Sequence, residues 1–221
     1  MKGLEVLAAE VVACERCPRL RGHCTEIARV KRRAYRDQEY WGRPVPAFGD
    51  PQARLLILGL APGAHGANRT GRMFTGDRSG EFLFRALNET GFASQAESVS
   101  REDGLWLKDC YITASARCAP PDNKPTLEEV RRCRPYLERE LTMLKPRVVV
   151  ALGRLAFDNY CLLRGIRGAN FGHGLASKTE EGWLIASYHP SQQNTQTGRL
   201  TATMLREVFE QARNLLQEFD G

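Results

Sequence analysis

Four short runs of nearly unbroken apolar character punctuate the chain: Arg54 to Leu60, Cys110 to Ala116, Arg147 to Leu152 and Trp183 to Tyr188. Each has the length of a strand, and the absence of polar alternation predicts strands buried on both faces. Helical periodicity fills the intervals. In Ser79 to Thr90, the residues Phe82, Leu83, Ala86 and Leu87 fall on one stripe. Thr126 to Lys145 opens with Thr126 and Glu129 at capping-box spacing, and Pro135 is expected to kink or split it. Leu155 to Leu163 and Leu200 to Phe219 complete the set. Strands alternating with helices predict crossover connections and an α/β fold with a mainly parallel sheet, here of four strands.

Every predicted strand runs directly into a loop rich in Gly, Pro or polar residues: GLAPGAHG, ARCAPPDNK, ALGR and YHPSQQN. Open α/β sheets bind ligands beyond the carboxyl ends of their strands. These loops are therefore expected to converge on one functional edge. There is no internal repeat and no low-complexity segment, so a single domain over residues 1–221 is expected, with an N-terminal segment of about residues 1–50 packed on it.

Composition narrows the class. Hydrophobic residues make up 42% and charged ones 26%, as in an ordered globular protein. The net charge of +6 favours a polyanionic partner without proving one. Only six of the 32 basic residues are Lys; Arg suits bidentate phosphate contacts, although such a bias also arises from genome composition. No apolar run is long enough for a transmembrane helix, so no membrane partner is expected. Met1 to Val12 lacks the order of a signal peptide, which predicts a cytoplasmic protein in reducing surroundings, without disulfides. Seven cysteines then need another explanation.

Cys14 and Cys17 form a C-x2-C pair, and Cys118 and Cys133 flank the second loop and its following helix. Together they suggest a four-thiolate site, for which zinc and an iron–sulfur cluster are equally compatible with the spacing. Four ordinary buried thiols are the plainer alternative. Cys24, Cys110 and Cys161 read as core residues.

Two polar motifs stand beside this pattern. Residues 59–77, GLAPGAHGANRTGRMFTGD, follow a strand with glycines that permit close backbone approach and leave N–H groups free for anions or carbonyls. The Gly-Lys-Ser/Thr ending of a P-loop is missing. Residues 189–201, HPSQQNTQTGRLT, place His189 at a strand terminus, with Ser191 available to a phosphate.

With the CERC pair, YWGRPVPAFGD from Tyr40 to Asp50, and RCAPPDNKPT, these strings resemble the uracil-DNA glycosylase superfamily, most closely its family 5, type B branch, over nearly the whole chain. The resemblance implies a three-layer α/β/α domain that flips a base from DNA and hydrolyses its N-glycosidic bond. It implies a structural 4Fe-4S cluster on Cys14, Cys17, Cys118 and Cys133, no nucleotide cofactor, a monomer, and a nucleoid-associated setting in a prokaryote. The sister type A branch has an acidic residue where this chain has Leu60, which leaves Asp77 as the carboxylate for the attacking water. Ala114 stands where sister families place an Asn, with Asn123 as the nearby substitute. His189 corresponds to the histidine that bonds the base carbonyl and Phe74 to the aromatic that stacks on the base; the amides of Ala61 and Gly63 line the pocket. Ser191, Gln192 and Asn194 enter the duplex, and Arg199 meets a phosphate. The opened pocket implies uracil, hypoxanthine and xanthine as substrates. Neither motif holds a Lys for Schiff-base chemistry, although Lys124 lies next to Asn123, so the product is an intact strand with an abasic site.

Plainer readings remain beside these. Asp77 suits a helix cap, His189 a satisfied core position, Phe74 plain packing and Asn123 a turn; Tyr40 and Trp41 are expected to pack rather than touch DNA, and Lys31, Arg32 and Arg33 to form a solvated face. A non-catalytic DNA-binding redox sensor accounts for the cysteines and the charge, but not for Asp77 and His189 beside one pocket. The resemblance also includes one superfamily branch that bonds covalently to abasic DNA through a histidine in an inserted basic loop, and no such Lys/Arg-rich insertion ending in His follows the first motif, which disfavours it.

Overall fold

The computed structural model describes residues 2–219; positions 1, 220 and 221 of the expected domain span lie outside the described residues. Helices α1 (Lys2–Val12) and α2 (Pro18–Val30) lead to β1 (Phe48–Gly49) and β2 (Leu55–Gly59). Then come α3 (Ala67–Thr70), α4 (Arg78–Glu89), β3 (Cys110–Ala114), α5 (Leu127–Leu144), β4 (Val148–Leu152) and α6 (Arg154–Arg164). The chain closes with β5 (Ala176–Lys178), β6 (Trp183–Ser187), α7 (Gln192–Gln196) and α8 (Ala202–Gln217). No helix among the described residues is long and apolar enough to cross a membrane.

The expected sheet of four strands is instead a mixed sheet of six, ordered β1-β3-β2-β4-β6-β5. Its four central strands are parallel, with Ile57 opposite both Ile112 and Val150, and Val150 opposite Ile185. The two additions are short antiparallel edge strands, β1 on β3 and β5 on β6. Pairing that brief satisfies edge N–H and C=O groups without leaving a periodic pattern in the sequence.

Alternation along the central strands divides the core in two. Leu55, Ile57, Val148, Val150 and Ile185 pack with Leu83, Phe84 and Leu87 of α4 and with Leu205, Val208 and Phe209 of α8. Leu56, Leu58, Val149, Ala151 and Leu184 face Leu137 and Leu141 of α5 and Phe157 and Tyr160 of α6. Helices on both faces give the three layers. Burying a Leu or Ile side chain contributes about 1.5–3 kcal/mol, so the two faces supply the main drive for folding.

One expectation fails at Pro135, where α5 runs through as a single helix. Pro135 is exposed, and the missing N–H costs one helical hydrogen bond on the solvent side. Val130 and Cys133 before it, and Tyr136, Leu137 and Leu141 after it, are buried and hold both halves in line. The capping box of Thr126 and Glu129 forms as expected.

Candidate active site

The strand order β3-β2-β4-β6 changes sense between the parallel neighbours β2 and β4, with β2 leading outward to β3 and β4 outward to β6. The connection from β2 leaves through α4 on one face, and that from β4 through α6 on the other. A cleft beyond the carboxyl ends is expected at such a switch point. The loops carrying Phe74, Asp77 and His189 meet there.

Asp77 is the N-cap of α4, its Oδ1 accepting the Gly80 N–H at 3.0 Å. Its other oxygen turns toward the glycines of the first motif. A Cβ at Gly63 would lie 3.0 Å from Oδ2 and one at Gly66 only 1.8 Å away. The motif therefore needs glycine because the carboxylate occupies the side-chain space. Burial raises the Asp77 carboxyl above its ordinary range, against the Gly80 and Ser79 amides and the Arg69 charge. Gly66→Ala should lower stability by about 1–3 kcal/mol through overpacking. A denaturant midpoint equal to wild type would mean that the loop relaxes away from Asp77.

Phe74 has φ 51, a left-handed backbone that an aromatic residue rarely adopts and that costs about 1–3 kcal/mol. The strain is held in place from both sides. Arg72 gives a bidentate pair to Asp103 (2.9 and 2.7 Å) and further bonds to Thr75 Oγ1 (3.0 Å) and Ser98 Oγ (2.7 Å). Burial would raise the Asp103 carboxyl, but Arg72 and the amides of Leu105, Val99 and Ser100 hold it at about 2. On the other side the Phe74 carbonyl lies so close to Gly80 that a Cβ there would stand 1.8 Å from the oxygen. The ring itself reaches over the end of β2, where a Gly59 Cβ would meet Cζ at 3.0 Å.

Beside that ring lies His189, with centroids 5.9 Å apart and planes 34° apart. His189 is anchored by Asn194 Nδ2, which donates to its carbonyl at 2.9 Å, and its Cβ sits against Gly153 at the end of β4. Burial alone lowers the imidazole to about 4, so it is neutral near pH 7. Its strand is steadied by His173, whose Nδ1 accepts the Tyr188 N–H at 3.1 Å and whose ring stacks on Tyr188 at 5.1 Å.

The other expected site residues are placed unequally. Among the described residues, the Ala61 and Gly63 amides donate to no backbone carbonyl, as a pocket lining requires. Ser191 caps α7 by accepting the Asn194 N–H at 3.4 Å, while Gln192 and Gln193 stand exposed at its tip. Exposed Arg199 lies over the Tyr188 ring at 4.7 Å. Asn123 is exposed, on a turn with φ 56 that Arg19 ties to α2 through the Lys124 carbonyl. That left-handed turn follows β3 on the loop between Cys118 and α5. Tyr40 packs as expected, its hydroxyl 3.1 Å from His65 Nδ1, and Trp41 lies against Gly71.

The four motif cysteines share one end of the molecule. Cys14 lies between α1 and α2, Cys17 caps α2, Cys118 follows β3 and Cys133 is on α5. Burial raises the Cys17 thiol, and the nearby Cys14 adds to it. Burial also pushes Cys133 up to about 11, with Cys14 and Cys17 adding and Arg117 opposing. Cys118 is raised by its contact with Cys24, then by burial and by Cys133. Mutual repulsion of this kind marks a donor set that needs positive charge to ionise. No three acidic, Cys or His groups among the described residues are disposed around a single metal ion.

The sequence reading did not single out Arg69, Arg72, Ser98, Asp103 or His173, all of which hold the site loops. Arg69 binds the His65 and Gly76 carbonyls and Gln38 Oε1. Nor did it single out the ion pair of Arg117 and Glu140, whose side chains are 1% and 3% exposed.

A family model described as "Uracil DNA glycosylase superfamily" matches residues 46–213. The chain is 50% identical over 215 residues to a protein of Thermus thermophilus named "Type-5 uracil-DNA glycosylase", covering 96% of this chain and 97% of that one. A Mycobacterium bovis protein of the same name is 50% identical over 215 residues, covering 95% and 80% respectively. One from Pyrobaculum aerophilum is 48% identical over 202 residues, covering 91% and 88%.

Proposed function

The chain belongs to the uracil-DNA glycosylase superfamily, and on that footing we propose that it is a monofunctional enzyme excising uracil and deaminated purines from DNA. It is a DNA repair glycosylase acting on uracil; the wider substrate range and the roles below are our assignment. The observation that carries it is the Phe74 ring lodged at the switch point, with the Asp77 loop on one side and the His189 ring 5.9 Å away on the other.

Cleavage of the glycosidic bond develops a cationic sugar and an anionic base. Asp77, with Oδ1 fixed on the α4 amides and Oδ2 free of the cap, stabilises that cation and orients the attacking water. Phe74 stacks on the extruded base. Neutral His189 donates a hydrogen bond to the base carbonyl as charge builds there, and the Ala61 and Gly63 amides assist. Uracil delocalises its charge over two carbonyls and needs no strong general acid. Gln192 and Gln193 at the tip of α7, with Ser191 and Asn194 behind them, fill the space left in the duplex. Arg199 meets a phosphate.

Cys14, Cys17, Cys118 and Cys133 hold a 4Fe-4S cluster, which ties the α1–α2 segment to the loop after β3 and takes no part in the hydrolysis. Arg19, through Glu129 and the Lys124 carbonyl, braces the same junction.

Incubation with a uracil-containing duplex, then alkali, should give strand scission only after the alkali step. Scission without alkali would overturn the monofunctional assignment, and intact DNA after alkali would overturn the glycosylase reading. Xanthine and hypoxanthine duplexes left intact would confine the activity to uracil.

A further inference from the structure

Arg117 is among the most deeply buried side chains of the protein, yet only part of its guanidinium has a partner. Its Nη2 donates to Glu140 Oε2 at 2.6 Å, and Thr113 Oγ1 donates to the same oxygen at 2.7 Å. Its Nε and Nη1 find no acceptor among the described residues. Buried charged donors are normally fully satisfied, because water cannot reach them. The same chain supplies a control: Arg72, also buried, spends Nε and both Nη groups on Asp103, Ser98 and Thr75. A purely structural Arg117–Glu140 pair has no reason to differ.

The position explains the difference. Arg117 directly precedes Cys118, and its carbonyl fixes the N-terminal segment by accepting the Val45 N–H at 2.7 Å. The Arg117 backbone contacts Cys133, and the Glu140 that grips its guanidinium lies on the same helix α5 as Cys133, both buried. The orphaned donors thus belong to a residue that precedes Cys118 and contacts Cys133, two thiols of a set that, once ionised, would place several negative charges in the interior.

We propose that Arg117 is the charge-compensating donor of the cysteine site: Glu140 grips one edge of its guanidinium, and the free Nε and Nη1 groups bond the sulfurs of the cluster held there. This rests on the cluster assignment above. Glu140 positions the cation, and Arg117 steadies the bound cluster and sets its electron affinity. A like role has precedent in the groups behind metal ligands, whose loss weakens metal binding by about 10–100-fold.

The test uses the full chain purified anaerobically with its cluster, as wild type, as Arg117→Lys, and as the paired Arg117→Met with Glu140→Gln. The paired variant removes both buried charges and so avoids stranding a carboxylate. Iron and sulfide content, the rate of cluster loss to a chelator, and the midpoint for one-electron reduction at an electrode are measured on each. The paired variant loses the N–H bonds to sulfur that the added electron would strengthen, so its reduction equilibrium should fall about tenfold, a 59 mV shift for one electron. Its cluster should be lost about 10–100-fold faster, with Arg117→Lys between it and wild type. Fully loaded variants with wild-type midpoint and loss rate would overturn the role of Arg117 alone. An iron-free wild type that still excises uracil would overturn the cluster assignment and this inference with it.

Discussion

Asp77→Asn should lower single-turnover excision by about 10²–10⁴-fold while the protein still folds and binds DNA. The substitution is selective because Asn caps a helix about as well as Asp. The bond from Gly80 to the side-chain oxygen at 3.0 Å survives, and the contacts with Gly63 and Gly66 keep their shape. What disappears is the carboxylate charge. Single-turnover rates, duplex binding by anisotropy and a thermal melt, taken together, separate these effects. A near-normal rate in a protein that melts like wild type would remove Asp77 from the chemistry and leave it as a cap.

The pH profile offers an independent check. Burial raises the Asp77 carboxyl, so the acid limb of the rate should lie above the ordinary carboxylate range and vanish in Asp77→Asn. The sign for stability is opposite. With its folded value raised, Asp77 contributes most when protonated, at low pH, and that contribution is lost as pH rises through the folded value. Activity is gained over the same window. The carboxylate is thus kept in a place that costs the fold something, as expected of a functional group.

Such placement explains what sequence could and could not convey. The four parallel strands were legible because burial on both faces leaves continuous apolar runs, and their loops followed from strand order. The edge strands Phe48–Gly49 and Ala176–Lys178 were not, because two or three paired residues impose no period. The helix through Pro135 was hidden for the opposite reason: a local breaker was overridden by tertiary packing on both sides of it. Within the site, Asp77, Phe74 and His189 sit in recognisable strings. The left-handed Phe74 backbone leaves no such trace, since nothing in an aromatic residue announces positive φ. Arg72 and Asp103, 31 positions apart, are ordinary loop residues until the fold pairs them. Arg117 and Glu140 were silent for the same reason.

His189→Ala should cost about 10²–10³-fold in single-turnover rate, the usual loss when one preorganised donor to a developing anion is removed. His189→Gln, which can still donate a neutral hydrogen bond, should recover part of it. Burial holds the ring at about 4, so His189 is already neutral at pH 5 and contributes no limb to the rate profile between pH 5 and 8. Its stability contribution behaves differently. In the unfolded chain the imidazole takes a proton near its ordinary value of 6.5, so stability falls as pH drops from there toward about 4. His189→Ala should therefore be slower at every pH yet lose less stability on acidification. If wild type instead showed a rate limb near 6.5 that the substitution abolished, the imidazole would be acting as a cation. A charged ring would attract the leaving base more strongly than a neutral one, but burial beside Phe74 opposes that charge, since no carboxylate is among the groups that shift the ring. The neutral donor is the form this pocket stabilises, and it suits a leaving group that departs as an anion.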